Sequence, residues 1–239
     1  MSAKGAVPAG RQGSASGGKV FCVIPAFNEE KNIEIIVSQV RPLVYRLVVV
    51  DDGSTDKTAD FAEEEGVILL KHIINRGQGA ALRTGTEYCL NRGADIIIHF
   101  DADGQFLTRD IERIAAPIKN GEAQVVFGSR FLNSEHSAEM PFFKKYFIMP
   151  LAKAANKVFF NINLTDPQSG FRAMSAEAAR KISWRQDRMA HCSEIMFEVK
   201  KNNFKVKEIP IRVIYHNFGQ SFSGGLKILK ELFIAMLVN

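Results

Sequence analysis

The chain has 239 residues, 46% of them hydrophobic, and carries a formal net charge of +5. That length suits one substantial α/β domain with a buried core and little beyond it. No run reaches the roughly 18 consecutive apolar residues of a membrane-spanning helix, and the positive balance points to an anionic partner without choosing among nucleic acid, phosphorylated lipid and an acidic membrane surface.

Residues 1–19 are rich in Gly, Ala and Ser. They lack the apolar core of a secretory signal and read as a disordered tail, leaving residues 20–239 as one catalytic domain. Cys22, Cys89 and Cys192 sit in apolar or helical contexts without metal-ligand spacing, as expected of reduced thiols in a cytoplasmic protein.

Residues 20–25 (VFCVIP) form a short apolar run ended by Pro, and residues 29–39 follow with helical spacing at Ile33, Ile36 and Val37. Residues 46–50 (RLVVV) then run into Asp51-Asp52-Gly53-Ser54, where Ser54 or Thr55 can cap a helix continuing to Glu65. A third strand at 67–71 precedes a helix from about Ala80 to Asn91, and a fourth at 95–100 (DIIIHF) delivers Asp101 at its carboxyl end. Apolar strands alternating with helices predict an α/β, Rossmann-like, doubly wound and mostly parallel sheet, with ligands beyond the strand ends. The loops at 26–29, 51–54 and 101–105 should therefore meet at one site. Past Arg130 the pattern loosens: a polar loop at 133–139, an apolar and basic helical stretch at 141–160, a loop at 165–172, a helix near 193–202 and a strand at 206–215.

Asp101-Ala102-Asp103-Gly104-Gln105 sets two carboxylates and an amide on alternating positions at a strand end, an oxygen-rich set suited to Mg²⁺ or Mn²⁺. Such an ion can bridge a diphosphate and stabilise charge on a departing nucleoside diphosphate. Taken alone, the same residues also suit an acidic turn that caps the next helix.

Pro25-Ala26-Phe27-Asn28-Glu29 and residues 48–54 (VVVDDGS), followed in order by residues 101–105, resemble the family 2 glycosyltransferases of the GT-A fold. Within them the chain is most similar to the polyprenyl-phosphate sugar transferases, the dolichol-phosphate mannosyltransferase group. The resemblance implies that Pro25, Phe27 and Glu29 hold the base and ribose of a GDP- or UDP-linked sugar, and that Val50 and Asp52 read the base. It places Asp101 and Ala102 against the donor diphosphate, and makes Asp101, Asp103 and Gln105 the ligands of Mg²⁺ or Mn²⁺. Phe27 stands where the family often has Tyr. Residues 75–79, with Arg83 and Gly85, resemble a further segment in which Lys often takes the place of Gln78; the glycines read as permitting a tight turn and close helix packing.

The same resemblance assigns Arg130 and Lys144 to the phosphate of a polyprenyl phosphate acceptor, although either residue also suits a solvated surface cation. It sets Asp166 and Ser169 at the acceptor or sugar pocket, and His216 near the donor phosphates, where relatives often carry Arg. Phe147, Ile148, Leu151, Val158 and Phe159 share one helical face opposite Lys145, Lys153 and Lys157. That stretch, with a second at 226–238, fits amphipathic interface helices resting on a membrane surface, and packing on the domain's own sheet fits it too. The expected activity is inverting sugar transfer to a lipid phosphate by a peripheral membrane protein. The alternatives are transfer to a sugar hydroxyl, for which Asp166 or Glu194 is the candidate carboxylate base, or a silent nucleotide-sugar-binding module. Nucleic acid is not an expected partner, because the basic residues are not interleaved with aromatics along an exposed strand.

Overall fold

The computed structural model describes residues 18–64, 67–132 and 164–214. Seven strands form one sheet in the order β3-β2-β1-β4-β6-β5-β7. The strands are β1 (Val20–Ala26), β2 (Arg46–Asp51), β3 (Ile68–Lys71), β4 (Ile96–His99), β5 (Val125–Ser129), β6 (Arg172–Ser175) and β7 (Val206–Pro210). The helices are α1 (Ile33–Val40), α2 (Thr58–Glu64), α3 (Gln78–Asn91), α4 (Asp110–Lys119), α5 (Ala176–Lys181) and α6 (His191–Lys201).

Pairings β1/β2, β1/β4, β2/β3 and β5/β7 are parallel, whereas β6 runs antiparallel to both β4 and β5. The central strands are apolar on both faces because helices cover both. Cys22, Ile24, Leu47, Val49, Ile96 and Ile98 point into a core with α1, α2 and α4. Phe21, Val23, Val48, Val50 and Ile97 point to the other side, where α3, α5 and α6 pack. The expected doubly wound sheet is present, with β6 as the strand that interrupts its parallel run.

Element boundaries differ from the sequence pattern for local reasons. Helix α1 begins at Ile33 rather than Glu29, because Asn32 and Ile33 both bond the Glu29 carbonyl in a tight entry turn. Helix α2 begins at Thr58, since Ser54 and Thr55 are engaged with the first loop. Strand β7 stops at Pro210, which has no N–H to continue a ladder. Just beyond it the Ile211 N–H still bonds the Ser129 carbonyl at 2.9 Å, and Val213 forms an isolated bridge to Phe106. All three cysteines are buried and free; burial raises the Cys22 thiol and pushes that of Cys89 up to about 12, so neither is a ready nucleophile at neutral pH.

Candidate active site

Four loops at the carboxyl edge of β1 to β4 are joined in a closed ring. The first and second are latched through Asn28, which occupies the left-handed region at φ 55°, a conformation that Asn tolerates. Its amide oxygen accepts from Thr55 N at 2.9 Å, and its own N–H donates to Ser54 Oγ at 3.0 Å. Glu29 N–H donates to Thr58 Oγ1 at 2.7 Å.

Asp52 joins the second loop to the third. Its buried carboxylate accepts from His72 Nδ1 (2.6 Å), Arg76 N (3.1 Å) and Gly77 N (2.6 Å). With Nδ1 donating, His72 Nε2 is left to accept from Thr84 Oγ1 at 3.0 Å. Gly77 has φ 112°, and a Cβ there would meet the Asp187 carbonyl at 2.5 Å. The turn and close helix packing read from its sequence are therefore both present. The next residue, Gln78, closes the third side of the ring by donating from Nε2 to Asp101 Oδ1 at 2.7 Å.

Asp103 faces Glu29 across the fourth side. The Glu29 carboxyl is raised chiefly by burial, is lowered by its bond from Asn32, and is raised further by the charges of Asp103 and Asp56. Asp101 is pushed up to about 7, first by burial and then by Asp103, with Arg172 opposing. The charge of Asp103 thus adds to the cost of ionising Asp101, a cost that a cation beside the two carboxylates would offset. Gln105 lies beside them, its N–H donating to Asp103 Oδ1 at 3.0 Å, and its carbonyl holds Ile214 N–H at 2.9 Å. The residues fit a divalent cation: two carboxylates and one amide, with oxygens of a bound diphosphate to complete the shell.

Asp101 is also confined from the opposite side. A Cβ on Gly170 would lie 2.5 Å from Asp101 Oδ2, so only glycine leaves the carboxylate its present position. Gly170 belongs to the loop at 164–171, whose other end holds Arg130. Arg130 Nε donates to Asp166 Oδ2 at 2.6 Å and its NH2 to Oδ1 at 2.8 Å, a bidentate pair on a carboxylate only 2% exposed. One loop therefore touches both the acidic turn and the basic residue assigned to the acceptor.

The remaining sequence-predicted residues divide by burial. Phe27 is 44% exposed at the rim, free to offer a ring face. Pro25 is paired in register with Val50 inside the sheet. The Val50 side chain lies in the core, 3.1 Å from where a Gly85 Cβ would stand, so it offers a ligand only its main chain. Ala102 is buried beneath the acidic turn. Ser169 is buried and directs its hydroxyl to the Phe171 carbonyl, bracing the loop. Glu194 accepts from Arg185 N and Gln186 N at 2.8 Å each, an internal tie. Lys144, His216 and both proposed interface helices lie outside the described residues.

Three contacts of the site carry no signal in the sequence. Gln78 stands where the resembled family often has Lys, but nothing in its glycine turn announces the bond to Asp101. Gly170 gives no local signal of its contact with Asp101. Arg172 was read as the end of a loop, yet it is fully buried on β6, donating from NH2 to His191 Nε2 at 3.2 Å and to Cys192 Sγ at 3.4 Å. It pairs in register with His99, and its NH1, like His99 Nδ1, has no hydrogen-bond partner among the described residues. A groove of about 440 Å³ between α1 and the segment at 104–109 borders the acidic turn through Gly104, but none of the site carboxylates lines it.

Comparison with known proteins agrees with this architecture. The model of "Glycosyl transferase family 2" matches residues 21–183. The chain belongs to that family. It is a glycosyltransferase. An uncharacterized protein of Methanocaldococcus jannaschii is 40% identical, with 90% of each chain covered. The UDP-N-acetylglucosamine–dolichyl-phosphate N-acetylglucosaminyltransferase of Methanococcus voltae is 34% identical, covering 92% of this chain and 95% of that one. Polyprenol monophosphomannose synthase of Mycolicibacterium smegmatis is 27% identical over 90% and 84% of the two chains. Among solved structures, glucosyl-3-phosphoglycerate synthase from Mycobacterium tuberculosis, in complex with Mn²⁺, UDP-glucose and phosphoglyceric acid, matches with a TM-score of 0.67. That match is at 20% identity over 88% of this chain and 79% of that one, and establishes the fold. Among the described residues, no helix is long and apolar enough to cross a membrane.

Proposed function

We propose that this glycosyltransferase moves a sugar from a nucleotide-diphosphate donor to a polyprenyl phosphate, with inversion at the anomeric carbon. The observation that carries the reading is the loop at 164–171, which abuts Asp101 through Gly170 and grips Arg130 through Asp166. It sets an acidic, cation-ready turn and an oriented guanidinium on two sides of one short segment. The names of the Methanococcus voltae and Mycolicibacterium smegmatis relatives support a dolichyl or polyprenyl phosphate acceptor.

On this reading Phe27 and Glu29 border the donor base and ribose, and the Val50 main chain completes that end. Asp52 acts there by holding the third loop in place, because both its oxygens are already engaged. Asp101, Asp103 and Gln105 would hold Mg²⁺ or Mn²⁺, which would neutralise charge on the departing nucleoside diphosphate. Ala102 packs beneath the diphosphate, with His216 nearby. Arg130 and Lys144 bind the acceptor phosphate, and Asp166 and Ser169 hold the surrounding loop. A phosphate oxygen of the acceptor attacks the anomeric carbon as the bond from that carbon to the diphosphate breaks. The nucleophile is already an anion, so no side chain has to remove a proton. Glu194 is tied to the backbone at 185–186 and is not placed as a base for a hydroxyl acceptor.

The protein works at the membrane surface, where its acceptor resides. The test is incubation of the full chain with Mn²⁺ or Mg²⁺, a panel of labelled nucleotide sugars, and a short polyprenyl phosphate. Label extractable into organic solvent with one or more donors supports the reading. Label found only on a soluble sugar would overturn it in favour of a hydroxyl acceptor.

A further inference from the structure

Beneath Arg130 lies an acid with no role in the account so far. Glu208 is in the middle of β7, in register with Phe127 of β5. Its Oε1 accepts from Thr165 N at 2.8 Å, Thr165 Oγ1 at 3.0 Å and Asp166 N at 3.0 Å, and its Oε2 also lies 2.9 Å from Thr165 N. One carboxylate thus holds both backbone N–H groups that begin the loop. Thr165 passes the constraint to β5 through its hydroxyl contact with Ser129 Oγ, which in turn accepts from Phe131 N at 3.1 Å. Asp166 passes it to Arg130 through the bidentate pair and a third bond from the Arg130 N–H at 3.2 Å.

We propose that Glu208 is a positioning residue for the acceptor: through Thr165 and Asp166 it holds the Arg130 guanidinium in the orientation that receives a phosphate. The inference rests on the reading of Arg130 as the acceptor-phosphate residue. A free arginine side chain samples many rotamers, and ordering it on binding weakens affinity. Arg130 is fixed beforehand, by Asp166 along its edge and by the Phe131 ring 5.3 Å from its central carbon. Asp166 and Glu208 are both acids, so electrostatic attraction for a phosphate is not what they supply. Orientation is, and that fixes the sign of the test. Losing the negative charge while keeping an acceptor should largely preserve phosphate binding, whereas losing the acceptor should weaken it.

The experiment compares wild type, Glu208→Gln and Glu208→Ala of the full chain, measuring KM for a short polyprenyl phosphate, KM for the nucleotide sugar, and kcat. Glu208→Ala is expected to raise the acceptor KM about tenfold, the scale of a lost hydrogen bond to a charged group, with donor KM and kcat within about twofold. Glu208→Gln, whose Oε1 can keep the three contacts of the native Oε1 while its Nε2 replaces the Oε2 that also lies near Thr165 N, is expected to recover most of the alanine defect in acceptor KM. If the alanine variant is insoluble, Thr165→Val removes the hydroxyl bonds alone and is expected to raise the acceptor KM by about twofold to threefold. An unchanged acceptor KM in Glu208→Ala or in Thr165→Val overturns the proposal. So does an equal rise in both KM values, and so does a glutamine variant as damaged as the alanine one. Wild type that transfers no sugar to polyprenyl phosphate is a different result: it removes the acceptor reading itself, and the proposal with it.

Discussion

Gln78 donates from Nε2 to Oδ1 of Asp101 across 2.7 Å, tying the first turn of α3 to the acidic turn after β4. The bond orients one of two neighbouring carboxylates, and the Gly170 backbone confines the same carboxylate from the opposite side. Gln78→Ala is expected to lower kcat/KM for the donor by about tenfold, the scale of a hydrogen bond to a charged group, with little change in Tm. Steady-state kinetics at varied Mn²⁺ beside a thermal melt would check this; full activity would detach Gln78 from the site.

Asp103 has the more direct consequence. Its carboxylate stands between Asp101 and Glu29 and accepts from Gln105 N–H. Asp103→Ala should abolish metal-dependent turnover, a loss of at least about 100-fold if the cation contributes several kcal/mol to leaving-group stabilisation. Titration with Mn²⁺, followed by its electron paramagnetic resonance signal, should show weakened binding in the same variant. Undiminished turnover would refute the ligand assignment.

Gly170 is predicted to be intolerant of a single methyl group. Its φ lies outside the left-handed region, so alanine meets no backbone obstacle there. The obstacle is Asp101 Oδ2, 2.5 Å from the new Cβ. Gly170→Ala should displace that carboxylate and reduce kcat by about 10- to 100-fold, the range expected when a reacting group is misplaced by an ångström or less. Circular dichroism should remain that of the wild type.

The two buried histidines should each give up stability in acid above the range in which most carboxylates titrate. Burial, with the charge of Arg172 adding to it, lowers His191 to about 4 and holds His99 well below its ordinary value. In the unfolded chain both titrate at about 6.5. Below that value the unfolded state takes up protons that the folded state refuses. Their contribution to stability is therefore complete above about pH 6.5 and is lost as pH falls toward 4. For His191 the full loss is about 3 kcal/mol. Asp101, pushed up to about 7, acts in the opposite sense over the same range, because the folded state protonates it before the unfolded state does. The histidine share is therefore read by difference: in urea unfolding at pH 7.5, 6.5, 5.5 and 4.5, wild type should lose more stability on acidification, or gain less, than His191→Asn. The same pH dependence in both proteins would contradict the prediction.

The donor half of the site was legible in the sequence because its chemistry sits at strand ends. Apolar runs ending at Pro25, Asp51 and Asp101 announce both the strand and the position of its last polar residue, and the parallel sheet aligns those ends. What could not be read were partnerships between loops. Gln78 and Asp101 belong to different βα units, and no spacing rule joins them. Asp52 resembles a base-reading residue, and only the fold reveals that His72, Arg76 and Gly77 already use its oxygens. Strand β6 was missed because four residues opening on a charged arginine do not look like buried sheet. Arg172 is tolerated there because polar atoms of α6 accept from its guanidinium, and its charge interacts with the Asp101 carboxyl of the fourth loop.

The antiparallel course of β6 also affects how such an enzyme can change. Because β6 runs against its neighbours, its first residue, Arg172, lies beside the last residue of β4, His99, and the middle residue of β5, Phe127. The chain therefore leaves the sheet after Ser129 and re-enters at Arg172 on the same edge. A change of length between Leu132 and Leu164 would therefore alter the register of no strand. Arg130 and Asp166 clasp each other on the two flanks of that interval, like the fastening of a removable part. On the proposed reading, a lineage could change the acceptor it serves within that interval while Gly170, Asp101 and the rest of the donor edge are inherited unchanged.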